Sequence, residues 1–211
     1  MKTQAGAQEI QSMGSRSRAF KMDVTDLNEV RRVVHAIETE LGTIDILINN
    51  AAVMDNLGRF DDQQSERWQC DLGVNLTSTY NCCKAVWPGM VKKEWGRIIN
   101  ISSVAGLMGA HMQPSYGATK AGLIGFGKSL AIEAGRCGIT VNTVCAGFIA
   151  TEAVQLYDER ATERIAKRTA LKRIGRPEEV AEVVAFLASD ATSYIKGAVI
   201  PVTGGIDLLT L

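Results

Sequence analysis

Five short runs rich in aliphatic and β-branched residues punctuate the chain: A-F-K-M-D-V at 19–24, I-D-I-L-I-N at 44–49, R-I-I-N-I at 97–101, T-V-N-T-V-C at 140–145 and A-V-I-P-V at 198–202. Between them, apolar residues recur at helical spacing. Asp26, with Glu29 three residues on, reads as a helix start, and Leu27, Val30, Val33, Val34, Ile37 and Leu41 follow on one face up to Gly42. Helical patterns also cover 65–93 and about 114–136. Pro177 opens a further helix carrying Val180, Val183, Val184 and Leu187. Strands that alternate with helices pair in parallel, because each crossover returns the chain to the same end of the sheet. The expected fold is therefore α/β: one doubly wound parallel sheet between two layers of helices, in a single domain over 1–211. The nearly unbroken apolar run at 44–49 predicts a strand buried on both faces.

Charge narrows the function. The 23 basic and 23 acidic residues cancel, which gives no electrostatic ground for a nucleic-acid or anionic-membrane partner. No apolar run approaches a membrane span, and the first ten residues lack a signal-peptide core, so the expected location is cytoplasmic. The five cysteines form no C-x-x-C pair, and the two histidines, His35 and His111, lack ligand spacing; no metal is expected.

In doubly wound sheets ligands bind beyond the carboxyl ends of the strands. Small and polar residues follow every strand here: Asp23-Val24, then Asn49-Asn50-Ala51-Ala52, then Ser102-Ser103, then Ala146-Gly147-Phe148-Ile149. Further on, Tyr116 and Lys120 stand four apart, one turn of a helix. A cation on the same face as a phenol favours the phenolate, which suits a phenol that must exchange protons near neutral pH. Each feature has a plainer meaning. Tyr-x-x-x-Lys pairs occur on exposed helices by chance, paired serines often cap helices, and Asn-Asn often turns a chain.

Taken in order, these residues resemble the short-chain dehydrogenase/reductase family along essentially the whole chain. N-N-A-A at 49–52 is similar to the family's N-N-A-G. Asn75 in V-N-L-T, Ser103 in I-S-S-V-A-G and Tyr116-x-x-x-Lys120 resemble its active-site residues. A-G-F-I-A-T at 146–151 resembles P-G-x-x-x-T, and R-P-E-E-V-A at 176–181 with T-G-G at 203–205 resembles its last third. The nearest branches are 3-oxoacyl-carrier-protein reductases and sugar or polyol dehydrogenases. The resemblance implies a Rossmann-type sheet and an NAD- or NADP-dependent oxidoreductase that interconverts a secondary alcohol and a ketone by hydride transfer. It implies Tyr116 as general acid/base, Lys120 lowering its pKa and holding the ribose, Ser103 orienting the substrate oxygen, and Asn75 in a proton relay. Cofactor contacts are implied at Asp23, Val24, Asn49, Ala51, Tyr116, Lys120, Gly147, Ile149 and Thr151. The substrate is a small carbonyl or alcohol. A lid over 151–172, with Val154, Leu156, Tyr157, Ile165 and Leu171, would enclose it. A homo-oligomer, dimer or tetramer, would pair helices at 65–93 and 114–136, with Trp68, Val74, Tyr80, Trp87, Phe126 and Leu130 as candidate contacts.

The sequence departs from the family at its front. The strand, the T-G-x-x-x-G-x-G turn that wraps the pyrophosphate, and the second strand have no counterpart, so the domain is expected to be N-terminally truncated. In the family's strand order, 3-2-1-4-5-6-7, those two strands separate Ala19–Val24 from Ile44–Asn49. The expectation is that 19–24 pairs directly beside 44–49 or swaps onto another subunit. Ala52 and Ala146 replace a glycine and a proline beside the cofactor. The alternative function is a relative without dehydrogenase activity, acting as a binding or subunit-partner protein.

Overall fold

A computed structural model describes residues 2–54, 56–151 and 159–208. The elements follow in the order α1 (Lys2–Ser12), α2 (Leu27–Leu41), β1 (Ile46–Asn49), α3 (Ser65–Leu72), α4 (Ser78–Lys93), β2 (Gly96–Ser103), α5 (Ala105–Met108), α6 (Pro114–Ala134), β3 (Ile139–Ala146), α7 (Glu159–Arg168), α8 (Pro177–Ala188) and β4 (Val199–Val202). The four strands form one parallel sheet in the order β1-β2-β3-β4. β2 and β3 are paired over their full length, from Gly96 opposite Ile139 to Ser103 opposite Ala146.

Period-two alternation divides the core between the faces of the sheet. Ile98 and Val141 point toward α2, α4 and α6, where they meet Val30, Val34, Val86, Met90 and Ala131. Ile99 and Val144 point the other way and pack on Leu187 of α8, with Val180, Val183, Val184 and Ile200 around them. Each fully buried aliphatic side chain contributes about 1.5–3 kcal/mol, so both faces are held and the three-layer Rossmann-type fold is present. Pro201 lies in β4, at the edge of the sheet, where a missing N–H costs no ladder bond on the open side.

The helix boundaries follow from local chemistry. Asp26 caps α2 by accepting from Asn28 N at 2.8 Å and Glu29 N at 3.3 Å. Gly42 ends that helix at φ 93°. Pro177 opens α8, and Glu179 Oε2 accepts from Arg176 N at 2.8 Å.

Two expectations are corrected. Residues 19–23 form no strand, the chain turns at 24–25, and the pairing beside β1 is not made. The Asp23 carboxylate accepts from Thr25 N and from the Thr25 hydroxyl, a local turn that competes with extension. The segment is held instead by side chains: Asn81 Nδ2 donates to Val24 O and Thr25 O, each at 3.1 Å, and Met22 packs on the core. Second, β1 is not buried on both faces. Leu47 packs on the core, but Ile46 and Ile48 are 41% and 48% exposed, because α4 packs on β1 from one side while α8 packs on β2 and β3. The expected helical region 65–93 is unbroken but not uniform. A wide π-type turn at Gly73–Thr77 separates α3 from α4 and carries Asn75.

Candidate active site

Ser103 is the last residue of β2, and Tyr116 and Lys120 lie in the first two turns of α6. Side chains lash this strand to this helix. Ser102 Oγ donates to Lys120 O at 2.7 Å, and Lys120 Nζ donates to Ile101 O at 2.9 Å. Lys120 is 3% exposed, and its Nζ stands 5.6 Å from the centre of the Tyr116 ring. An ammonium has three donors. One is spent on Ile101, leaving the others for a ligand or for Tyr116. Ser103 Oγ accepts from Ala105 N at 3.1 Å, and among the described residues no acceptor takes the Ser103 proton. That proton can be donated to a substrate oxygen. Ser103 thus ends β2, Lys120 reaches back to Ile101 of the same strand, and Tyr116 stands beside Lys120.

Two closely packed glycines make the meeting possible. A Cβ at Gly106 would lie 2.6 Å from Lys120 C and 2.8 Å from Lys120 O. The short helix α5 therefore touches the backbone of α6 at Lys120, and only glycine permits it. A Cβ at Gly147 would meet Thr203 Cα at 2.8 Å, so the loop after β3 lies directly on the chain leaving β4. Gly106 stands within the I-S-S-V-A-G motif, yet its role was not read from the sequence; small residues around it were the only signal.

Asn75 is 1% exposed. Its Oδ1 accepts from Val53 N at 2.7 Å, and its Nδ2 donates to Val53 O at 2.9 Å and to Thr119 Oγ1 at 3.4 Å. It braces the segment after β1 against α6, and the wide turn is what lets its amide reach both. Asn49 turns inward, donating to Asn100 Oδ1 at 2.9 Å and to Cys83 Sγ at 3.5 Å. Ala51 is exposed. Gly147 N donates to Val202 O, Ile149 and Gly175 bridge, and Thr151 N donates to Ile149 O at 2.7 Å. Ile149 also lines a cleft of about 390 Å³ with Phe148, Leu171, Arg173 and Thr203. Ser103, Tyr116 and Lys120 do not line it. The Val24 and Thr25 carbonyls are fixed to α4 through Asn81, and Asp23 bonds to Thr25 beside them. Hydrogen bonds from Thr25 hold the Asp23 carboxyl below the usual carboxylate range. Of the expected lid, Val154, Leu156 and Tyr157 lie outside the described residues, Ile165 is half-buried on α7, and Leu171 is exposed.

Burial pushes the Lys120 ammonium down to about 8, with Cys145 acting in the opposite sense. Between pH 8 and the ordinary 10.5 the unfolded chain thus binds more protons than the folded one, and this group's contribution to stability grows as pH rises. Urea unfolding at pH 7.5 and pH 10 is expected to show a gain at the higher pH that Lys120→Met abolishes. An equal gain in wild type and variant would mean the amine is not desolvated.

Comparison with known proteins decides the lineage. A model of the family described as enoyl-(acyl carrier protein) reductase matches residues 1–207. The chain is 43% identical over 210 residues to 3-oxoacyl-(acyl-carrier-protein) reductase of Vibrio cholerae, a match spanning 98% of this chain and 85% of that one. It belongs to the short-chain dehydrogenase/reductase family. Acetoacetyl-CoA reductase of Shinella zoogloeoides is 40% identical over 187 residues, 88% of this chain and 77% of that one. Nodulation protein G of Azospirillum brasilense is 38% identical over 197 residues, 93% and 80%. Short-chain dehydrogenases/reductases are NAD(P)-dependent oxidoreductases of carbonyl and CH–OH groups. The residues present fit the nicotinamide-ribose end of such a cofactor: a buried lysine with donors to spare lies beside a tyrosine at a strand end. No helix among the described residues is long and apolar enough to cross a membrane.

Proposed function

We propose that this short-chain dehydrogenase/reductase reduces the ketone of a 3-oxoacyl thioester to a secondary alcohol, with Tyr116 as the proton donor. The observation that carries this reading is the convergence of Ser103, Tyr116 and buried Lys120 at the carboxyl end of β2. The thioester substrate is supported by two relatives, named for the reduction of 3-oxoacyl-carrier-protein and acetoacetyl-CoA.

Bound NAD(P)H supplies the hydride. Ser103 donates a hydrogen bond to the ketone oxygen and orients it. As negative charge grows there, Tyr116 releases its phenolic proton to that oxygen. Lys120 makes the release easier: a cation 5.6 Å from the ring centre favours the phenolate over the phenol. Donors on Lys120 not used by Ile101 would hold the ribose hydroxyls. Gly147, Ile149 and Thr151 would line the wall beside the nicotinamide, Asn49 and Ala51 the floor, and Asp23 and Val24 the adenine end. Asn75 lets water approach Lys120 and return the proton from solvent. Paired helices α4 and α6 would join two copies.

The test is direct. Fluorescence titration with NADH and NADPH is expected to give micromolar affinity for one of them, and acetoacetyl-CoA is expected to be reduced. Affinity no better than millimolar for both, with no turnover, would favour the binding-protein alternative.

A further inference from the structure

We propose that Asp71 is a positioning residue for the proton donor: its buried carboxylate holds the first turn of α6 through Ser115, and thereby holds Tyr116. The inference rests on the reading of Tyr116 given above. Asp71 lies on α3 and is 1% exposed. Its Oδ2 accepts a short hydrogen bond from Ser115 Oγ, itself on a residue 1% exposed. Its Oδ1 has no partner among the described residues. Ser115 is the second residue of α6 and directly precedes Tyr116.

A carboxylate buried with one oxygen unbonded is costly, and an aliphatic residue would fill the same space with no such cost. What offsets the cost is its location. The first N–H groups of a helix have no intrahelical acceptor and carry partial positive charge. Gln113, the cap of this 21-residue helix, makes no side-chain capping bond. The Asp71 carboxylate supplies the missing anion from the neighbouring helix. Ser115 transmits its hold to the one turn that contains Tyr116.

A carboxylate bonded to the residue next to Tyr116 in the chain would also act on the phenol. It disfavours the tyrosinate and keeps the proton on Tyr116, opposing Lys120. Among the described residues, other titratable groups on elements packed around the pair include Glu66, Arg67 and Cys70 on α3, Arg97 on β2, Cys145 on β3, Lys128 and Glu133 further along α6, and exposed His111 in the loop before α6. In the reductive direction Tyr116 must hold its proton, so the rate falls above its kinetic pKa. Removing the negative charge favours the tyrosinate and moves that falling limb to lower pH.

The experiment is the pH profile of kcat for acetoacetyl-CoA reduction in wild type, Asp71→Asn, Ser115→Ala and Ser115→Thr. Asp71→Asn is expected to move the alkaline limb down by about half a unit or more. Ser115→Ala keeps the charge and cuts the tether. It is expected to lower kcat about tenfold with KM within twofold and the limb unmoved, and Ser115→Thr is expected to restore kcat. An unmoved limb in Asp71→Asn, or wild-type kcat in Ser115→Ala, overturns the proposal. Should Asp71→Asn fail to fold, the two Ser115 variants decide alone. Tyr116→Phe, run alongside, separates the failures. If it stays active, the reading of the site fails; if it is dead while the Asp71 and Ser115 variants behave as wild type, only this inference fails.

Discussion

Tyr116→Phe is expected to lower kcat for ketone reduction by about 10²- to 10⁴-fold, the usual worth of a positioned general acid, with the fold intact. The ring is half-buried at the start of α6, and phenylalanine keeps its volume and its contact with Lys120. Circular dichroism and a thermal melt should therefore match wild type. What goes is the one proton that sits beside a buried cation at the strand end. With Ser103 left to orient the ketone as proposed, KM should change little. A variant within tenfold of wild type would remove Tyr116 as the donor and leave Ser103 or a water molecule to take that place.

The second large effect is expected from a residue that touches no substrate. Gly106→Ala puts a methyl 2.6 Å from Lys120 C, 2.8 Å from Ala121 N and 2.8 Å from Lys120 O. All three are backbone atoms, so no side chain can swing aside. The helix must retreat from β2, and with it go the bonds from Ser102 to Lys120 O and from Lys120 Nζ to Ile101 O. Overpacking of this kind costs about 1–3 kcal/mol, and displacing a catalytic group by 1 Å can cost about 10²-fold in rate. Activity should fall by at least that factor. Gly125→Ala is the control: nothing lies within 4 Å of its Cβ in the same helix, and it should be neutral or stabilise by up to about 1 kcal/mol. If Gly106→Ala were as active as Gly125→Ala, the contact between α5 and α6 would not position the lysine.

How much of this was legible beforehand depended on whether the cause was local. The four strands that pair were visible because their apolar residues need no special partner beyond a neighbouring ladder. Helix ends were visible where one residue does the work, as Asp26 and Gly42 do for α2. Ala19–Val24 has strand-like composition but no ladder, since pairing depends on an available edge and not on the run itself. The exposed face of β1 was hidden for the same reason: an apolar strand looks alike whether one face is covered or two. At the site, the residue types of Ser103, Tyr116 and Lys120 and the motifs around them pointed to the chemistry proposed here. The devices that aim them did not. The wide turn at Asn75, the contact at Gly106 and the pairing of Asp71 with Ser115 each join residues 14 or more positions apart, and no spacing rule reaches that far.

The two bonds that cross between β2 and α6 run in opposite senses. One goes from the strand's side chain to the helix backbone, the other from the helix's side chain to the strand backbone. Such a pair works like a dowel joint. A slide of the helix along the strand, or a roll about its own axis, would have to break both at once. Breathing of the outer loops can then proceed without disturbing Tyr116 and Lys120, because both ride with β2, one of the two central, largely buried strands of the sheet.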